Sequence, residues 1–139
     1  MGMLAAAADI VRMSDIDFTY LYGNQAATEW AHSMLARGAG LIVITRGTQG
    51  AQVWHRKVDA IDVSAPAVKV VDTIGAGDSF QAALLFALAR LKRIERASLQ
   101  TIGADELRKA LAFACQCAAL TCTRAGADPP RYSEVAGYW

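Results

Sequence analysis

A chain of 139 residues, 54% hydrophobic and 19% charged, holds enough apolar material for one globular domain with its own core. Its formal net charge is only +1, with lysines and arginines dispersed, which argues against a nucleic-acid partner or docking on an acidic membrane surface. No apolar run reaches the roughly 20 residues of a membrane span, and the opening "MGMLAAAADIVRM" has no basic start and is interrupted by Asp9, so the expected location is cytoplasmic.

"ADIVRM" (8–13) reads as a short buried strand with little in front to cover it, as in a truncated domain. Ser14 is a good helix cap for "SDIDFTYLYG", which stops at Gly23. Asn24 is expected to cap an amphipathic helix running through Arg37, with Gly38 as its stop. "LIVIT" (41–45) is a continuous apolar run of the kind found in strands covered on both faces. A glycine-bearing turn, "RGTQGA", leads into "QVWHR", and "VDAIDVSAP" alternates like a further strand.

"VKVVD" (68–72) reads as the next strand. Two alanine-rich helices follow, over residues 76 to about 92 and 104 to about 123, and Pro129 and Pro130 leave the end as loop and tail. Helices alternating with buried strands predict an α/β fold with a largely parallel sheet. Cys115, Cys117 and Cys122 share one helix, but Cys117 points nearly opposite to the other two. They read as small apolar thiols and not as metal ligands.

The stretch "DTIGAGDSF" joins the last predicted strand to a helix. At a helix start near Ala76, the amides of Gly75, Ala76 and Gly77 lack intrahelical acceptors and can together hold an anion. The glycines let a ligand approach the backbone closely. Asp78 lies in the same first turn, where the helix's partial positive charge favours a carboxylate. An anion cradle beside a proton acceptor suits phosphoryl transfer onto a hydroxyl. Taken alone, "GAGD" is better read as a helix start with an acidic first turn. A dinucleotide fingerprint fails because Phe80 stands where Gly or Ala is needed, and no Gly-Lys pair exists for a P-loop.

The longer stretch Asp72-Thr73-x-Gly75-Ala76-Gly77-Asp78 resembles the C-terminal signature of the ribokinase-like sugar kinases, the PfkB family. "ADIVRMSDIDFTYLYG", "LIVITRGTQGA" and "ALTCTRAGADPP" follow the family's order, and the tail looks like that of bacterial fructokinases. The resemblance implies a ribokinase-like, Rossmann-like three-layer α/β fold, of which this chain is the second half. It implies ATP and Mg²⁺ as cofactors and a monovalent cation such as K⁺. Asp78 takes the position of the catalytic base, and Gly75, Ala76 and Gly77 that of the anion hole.

By the same resemblance, Thr45, Gly47 and Gly50 match the turn along the nucleotide phosphates, which read alone is simply a loop between strands. Ser14 and Asp17 stand where the family has Asn-x-x-Glu, near phosphate and Mg²⁺; read alone they are a helix cap and a first-turn acid. Asp72, with carbonyls near Ile74, Thr121 and Gly126, matches the monovalent-cation site, or else caps the following turn. Cys115 falls where relatives place an Asn beside adenine, and Arg124 either approaches phosphate or neutralises a helix C-terminus. The family's sugar-holding residues and lid belong to the half not represented here. Turnover by this chain alone is therefore not expected, and apolar surface left uncovered predicts a homo-oligomer.

Overall fold

The computed structural model describes residues 2–139. A short helix α1 (Gly2–Ala7) precedes strand β1 (Ile10–Ser14), and helices α2 (Asp15–Tyr22) and α3 (Ala27–Ala36) lead to β2 (Leu41–Thr45). After a 3₁₀ turn at Gly47–Gln49 come β3 (Ala51–His55) and β4 (Val58–Val63). Helices α4 (Ala76–Arg90), α5 (Arg96–Leu99), α6 (Ala104–Cys122) and α7 (Tyr132–Val135) follow. No helix of the described residues is long and apolar enough to cross a membrane.

The four strands form one sheet in sequence order. Its side chains alternate between two apolar clusters, as a period of two requires. Leu41, Val43, Ala51, Val53 and Ile61 pack with Leu84, Leu88, Leu107 and Leu111 of α4 and α6. Ile42, Ile44 and Trp54 pack on the other face with Trp30, Met34 and Leu35 of α3. The sheet is therefore the middle of three layers, and β2 is covered on both faces as its unbroken apolar run predicts.

Parallel pairing is confined to β1 and β2, whereas β2–β3 and β3–β4 are antiparallel. The reason is loop length. A parallel crossover takes a dozen or more residues, and only Arg46–Gly50 and Arg56–Lys57 separate these strands.

Four further expectations change. "VKVVD" pairs with no strand among the described residues; the amides of Val71 and Asp72 both donate to the Cys122 carbonyl, at 2.8 and 3.2 Å. Val70 and Val71 are exposed, so their β-propensity has no pleated surface to fit. Strand β1 is half-buried throughout because it lies at the sheet edge. Helix α3 starts after Ala26, so Asn24 is not its cap. The tail is not loose, because Trp139 packs edge-on against Phe113 at 5.4 Å and under the Lys109 ammonium at 4.5 Å.

Candidate active site

The helix start at Gly75 supplies the centre of the site. Gly75 is left-handed (φ 78°), and a Cβ there would stand 2.8 Å from Cβ of Ala127. Both the backbone conformation and the tight approach of the 126–128 loop require glycine. The Ala76 amide closes a turn onto the Thr73 carbonyl at 3.2 Å. Of the three amides expected in the anion hole, that one is used by the protein itself. The amides of Gly75 and Gly77, and that of Asp78, find no acceptor among the described residues.

An open groove of about 680 Å³ runs past this helix start, within the range of pockets that hold drug-sized ligands. Ser14, Thr45, Gly47, Gly50, Ala76, Gly77 and Cys115 all line it. The structure thus brings seven of the sequence-predicted residues to one wall system. Gly75, Asp17, Asp72 and Asp78 are not among the lining residues; Asp78 is exposed on the first turn of α4. At the turn end of the groove, Gly50 (φ 92°) lies so close to β4 that a Cβ would meet the Val63 carbonyl.

Ser14 and Asp17 make a reciprocal capping box. Asp17 N–H donates to Ser14 Oγ at 3.0 Å, Ser14 N–H donates back to Asp17 Oδ2 at 3.4 Å, and Ser14 Oγ adds a 2.7 Å bond to the same oxygen. The hydrogen bonds from Ser14 hold the Asp17 carboxyl below the usual carboxylate range. Among the described residues no three His, Cys, Asp or Glu side chains cluster as a metal site. Mg²⁺ needs only one or two protein carboxylates beside phosphate oxygens, so a single ionised Asp17 is compatible with it.

Asp72 joins two segments. Its Oδ1 accepts from Ile74 N–H at 3.0 Å and its Oδ2 from Gly126 N–H at 2.9 Å, which keeps its pKa low. This is the turn-capping arrangement, and it also places Gly126 and the Cys122 carbonyl around the start of the glycine loop. Cys115 and Cys117 are buried, and burial pushes both thiols up to about 11, which leaves them protonated and unreactive near neutrality. Arg124 pairs with Asp128 and Glu134, and the second pair anchors α7.

One residue of the groove escapes sequence reasoning. Arg12, in the middle of β1, lines the groove, donates from Nη2 to Thr45 Oγ1 at 3.1 Å, and lies 5.9 Å from the Phe80 ring centroid. Burial lowers its pKa, and the charges of Asp17 and Asp78 act in the opposite direction. The available signal is a lone cation inside an otherwise apolar strand run, Ile-Val-Arg-Met.

The profile of the "pfkB family carbohydrate kinase" group matches residues 2–133. Fructokinase-2 of Solanum habrochaites is 37% identical over 134 residues, covering 93% of this chain and 38% of that protein. A fructokinase of Rhizobium leguminosarum bv. trifolii is 36% identical over 107 residues, covering 76% of this chain and 32% of the relative. In crystal structures, fructokinase from Vibrio cholerae O395 with fructose, ADP and calcium ion bound superposes with a TM-score of 0.76. It is 29% identical, and the match spans 98% of this chain and 42% of that one.

Aminoimidazole riboside kinase from Salmonella enterica, complexed with aminoimidazole riboside and an ATP analog, gives 0.78 at 27% identity, over 99% and 44%. The chain thus spans about two fifths of the length of such relatives. A family profile matched over nearly every residue, in a fold shared with solved kinases of the group, places this chain in the pfkB family of carbohydrate kinases.

Proposed function

We propose that this chain carries the nucleotide-binding and proton-accepting part of an ATP- and Mg²⁺-dependent sugar kinase with a fructose-like acceptor. The observation that carries the reading is the convergence, on one groove, of the Gly77 helix start, the Thr45–Gly50 turn and the Cys115–Cys122 face of α6. The nucleotide lies along the turn and α6, with its terminal phosphate at the unpaired amides of Gly75 and Gly77. Those amides stabilise charge on the transferred phosphoryl group. Asp78 takes the proton of the sugar hydroxyl as its oxygen bonds to phosphorus and the bond to the β-phosphate oxygen breaks.

Asp17 would hold Mg²⁺, and the ion would neutralise phosphate charge. Asp72, with carbonyls near Ile74, Thr121 and Gly126, is where the resemblance to the family implies a K⁺ site, beside the glycine loop. The first test is calorimetry with Mg·ATP followed by a phosphorylation assay with fructose and ribose. Saturable binding supports the reading; no binding of ATP removes it.

A second reading is a non-catalytic, self-associating nucleotide-binding module. Ile16 and Tyr20 are 77% and 89% exposed on α2, beside the half-buried edge strand β1, and such surface favours association. ATP binding without turnover, with a dimer or larger species by light scattering, supports it. A strictly monomeric chain that turns over fructose overturns it.

A further inference from the structure

Two arginines line the groove, and they are in different states. Arg46 is committed to Asp62 in an ion pair. Arg12 has no carboxylate within ion-pair distance among the described residues, and only one of its five N–H donors is used, by Thr45; its Nε, like that of Arg46, is buried without an acceptor. A half-buried guanidinium with unspent donors carries a desolvation cost that an anion in the groove offsets.

Its position narrows which anion. The guanidinium lies flat against Gly77: a Cβ built there would be 2.7 Å from Nη2, 3.0 Å from Nη1 and 3.2 Å from Cζ. A Cβ at Gly77 would therefore displace the guanidinium of Arg12, the movable end of its side chain. The free amides of the helix start and the fork of Arg12 are thus adjacent, and Thr45 at the head of the turn is tied to the same guanidinium. A planar fork with several free donors matches a tetrahedral phosphate better than a sugar hydroxyl or a single point charge.

We propose that Arg12 is a catalytic residue that grips the terminal phosphate of a bound nucleoside triphosphate. It flanks that phosphate from beside the Gly75 and Gly77 amides. The inference rests on the nucleotide-binding reading above and adds the residue that distinguishes a triphosphate from a diphosphate. Its cation meets the charge carried by the transferred group, as an arginine supplied in cis does in other phosphoryl-transfer sites.

The experiment is calorimetric titration of the whole chain and its variants with Mg·ATP and Mg·ADP, each variant checked by circular dichroism and thermal melting. Arg12→Met is expected to weaken ATP binding about 10- to 100-fold while ADP changes by no more than about threefold. Arg12→Lys is expected to recover part of the ATP affinity, because it restores charge without the fork. Gly77→Ala keeps the amide but displaces the guanidinium, so it is expected to show the same ATP-selective loss, and none further when added to Arg12→Met.

Should Arg12→Met fail to fold, Arg12→Gln, which keeps a polar side chain at the half-buried position, reads the same ATP-selective loss. Folded Arg12→Met or Gly77→Ala binding ATP like the parent, or losing ATP and ADP equally, overturns the role of Arg12 while leaving the nucleotide site standing. A parent chain that binds neither nucleotide removes the proposed function itself.

Discussion

Asp72 and Gly126, 54 residues apart, are joined by a 2.9 Å hydrogen bond from the glycine amide to the carboxylate. That bond fastens the segment before the glycine loop to the turn after α6, and the second oxygen of Asp72 fixes Ile74 inside the loop itself. One side chain therefore both closes the 72–74 turn and ties it to the turn after α6. Asp72→Ala should raise amide hydrogen exchange at Ile74 and Gly126 together. Unchanged protection at either would show that the loop is held by other contacts.

The sign of the pH dependence follows. The folded-state pKa of Asp72 is lowered by the Ile74 and Gly126 hydrogen bonds, so its contribution to stability is present above the unfolded carboxylate value. It is lost as pH falls below about 4. The difference in melting temperature between the parent and Asp72→Ala should be constant near neutrality and shrink on acidification through that range. A difference that grows in acid contradicts the assignment.

Gly75→Ala tests the helix start. A left-handed alanine costs roughly 1–2 kcal/mol, and its Cβ would also crowd Ala127 at 2.8 Å. Gly137→Ala is the control, because no atom lies within 4 Å of a Cβ there and its φ is not positive. Urea titration should show a clear loss for the first and little change for the second. Equal midpoints would mean that the loop relaxes at no cost.

Much of this architecture is legible in the sequence. β2, α4 and α6 carry their signals locally, as a run dominated by β-branched residues and as long alanine-rich periodic stretches, and the Ser14–Asp17 capping box spans four residues. What local pattern misreads is decided at a distance. "VKVVD" has the residues of a strand but only the Cys122 carbonyl to bond. The tail is ordered by aromatic contacts to α4 and α6 that no window of its own sequence contains. Arg12 looks like an intrusion in a strand until Thr45 and Gly77 are brought beside it.

The role of Asp78 is tested by joining this chain to the N-terminal portion of the Rhizobium leguminosarum fructokinase and assaying fructose phosphorylation. Asp78→Asn preserves shape but cannot accept the hydroxyl proton. Turnover is expected to fall about 10²- to 10⁴-fold, with Mg·ATP affinity nearly unchanged. Undiminished turnover would remove Asp78 from the mechanism.

His55 gives the fold a second pH dependence, independent of the groove. It is buried, its Nε2 donates to the Leu99 carbonyl at 3.1 Å, and its Nδ1 accepts from the Lys57 amide at 3.2 Å, so the neutral ring is fully satisfied. Burial lowers its pKa from the usual 6.5. The unfolded chain then binds the proton first, so stability is complete above about pH 6.5 and declines as pH falls below it. His55→Gln should flatten the stability curve in that window; a mutant curve parallel to the parent's would place the titration elsewhere.

The cysteines report on occupancy of the groove. Reaction with iodoacetamide requires thiolate and access. Cys115 and Cys117 are buried and pushed up to about 11, whereas Cys122 is only partly buried, and both Cys115 and Cys122 line the groove. Mass spectrometry after brief alkylation at mildly alkaline pH should find Cys122 modified first and Cys117 last. Saturating Mg·ATP should slow the reaction at Cys122, because a nucleotide lying along α6 covers that thiol. Labelling of Cys122 at the same rate with and without nucleotide, in a chain shown to bind it, would move the nucleotide off α6 and toward the Thr45–Gly50 turn alone.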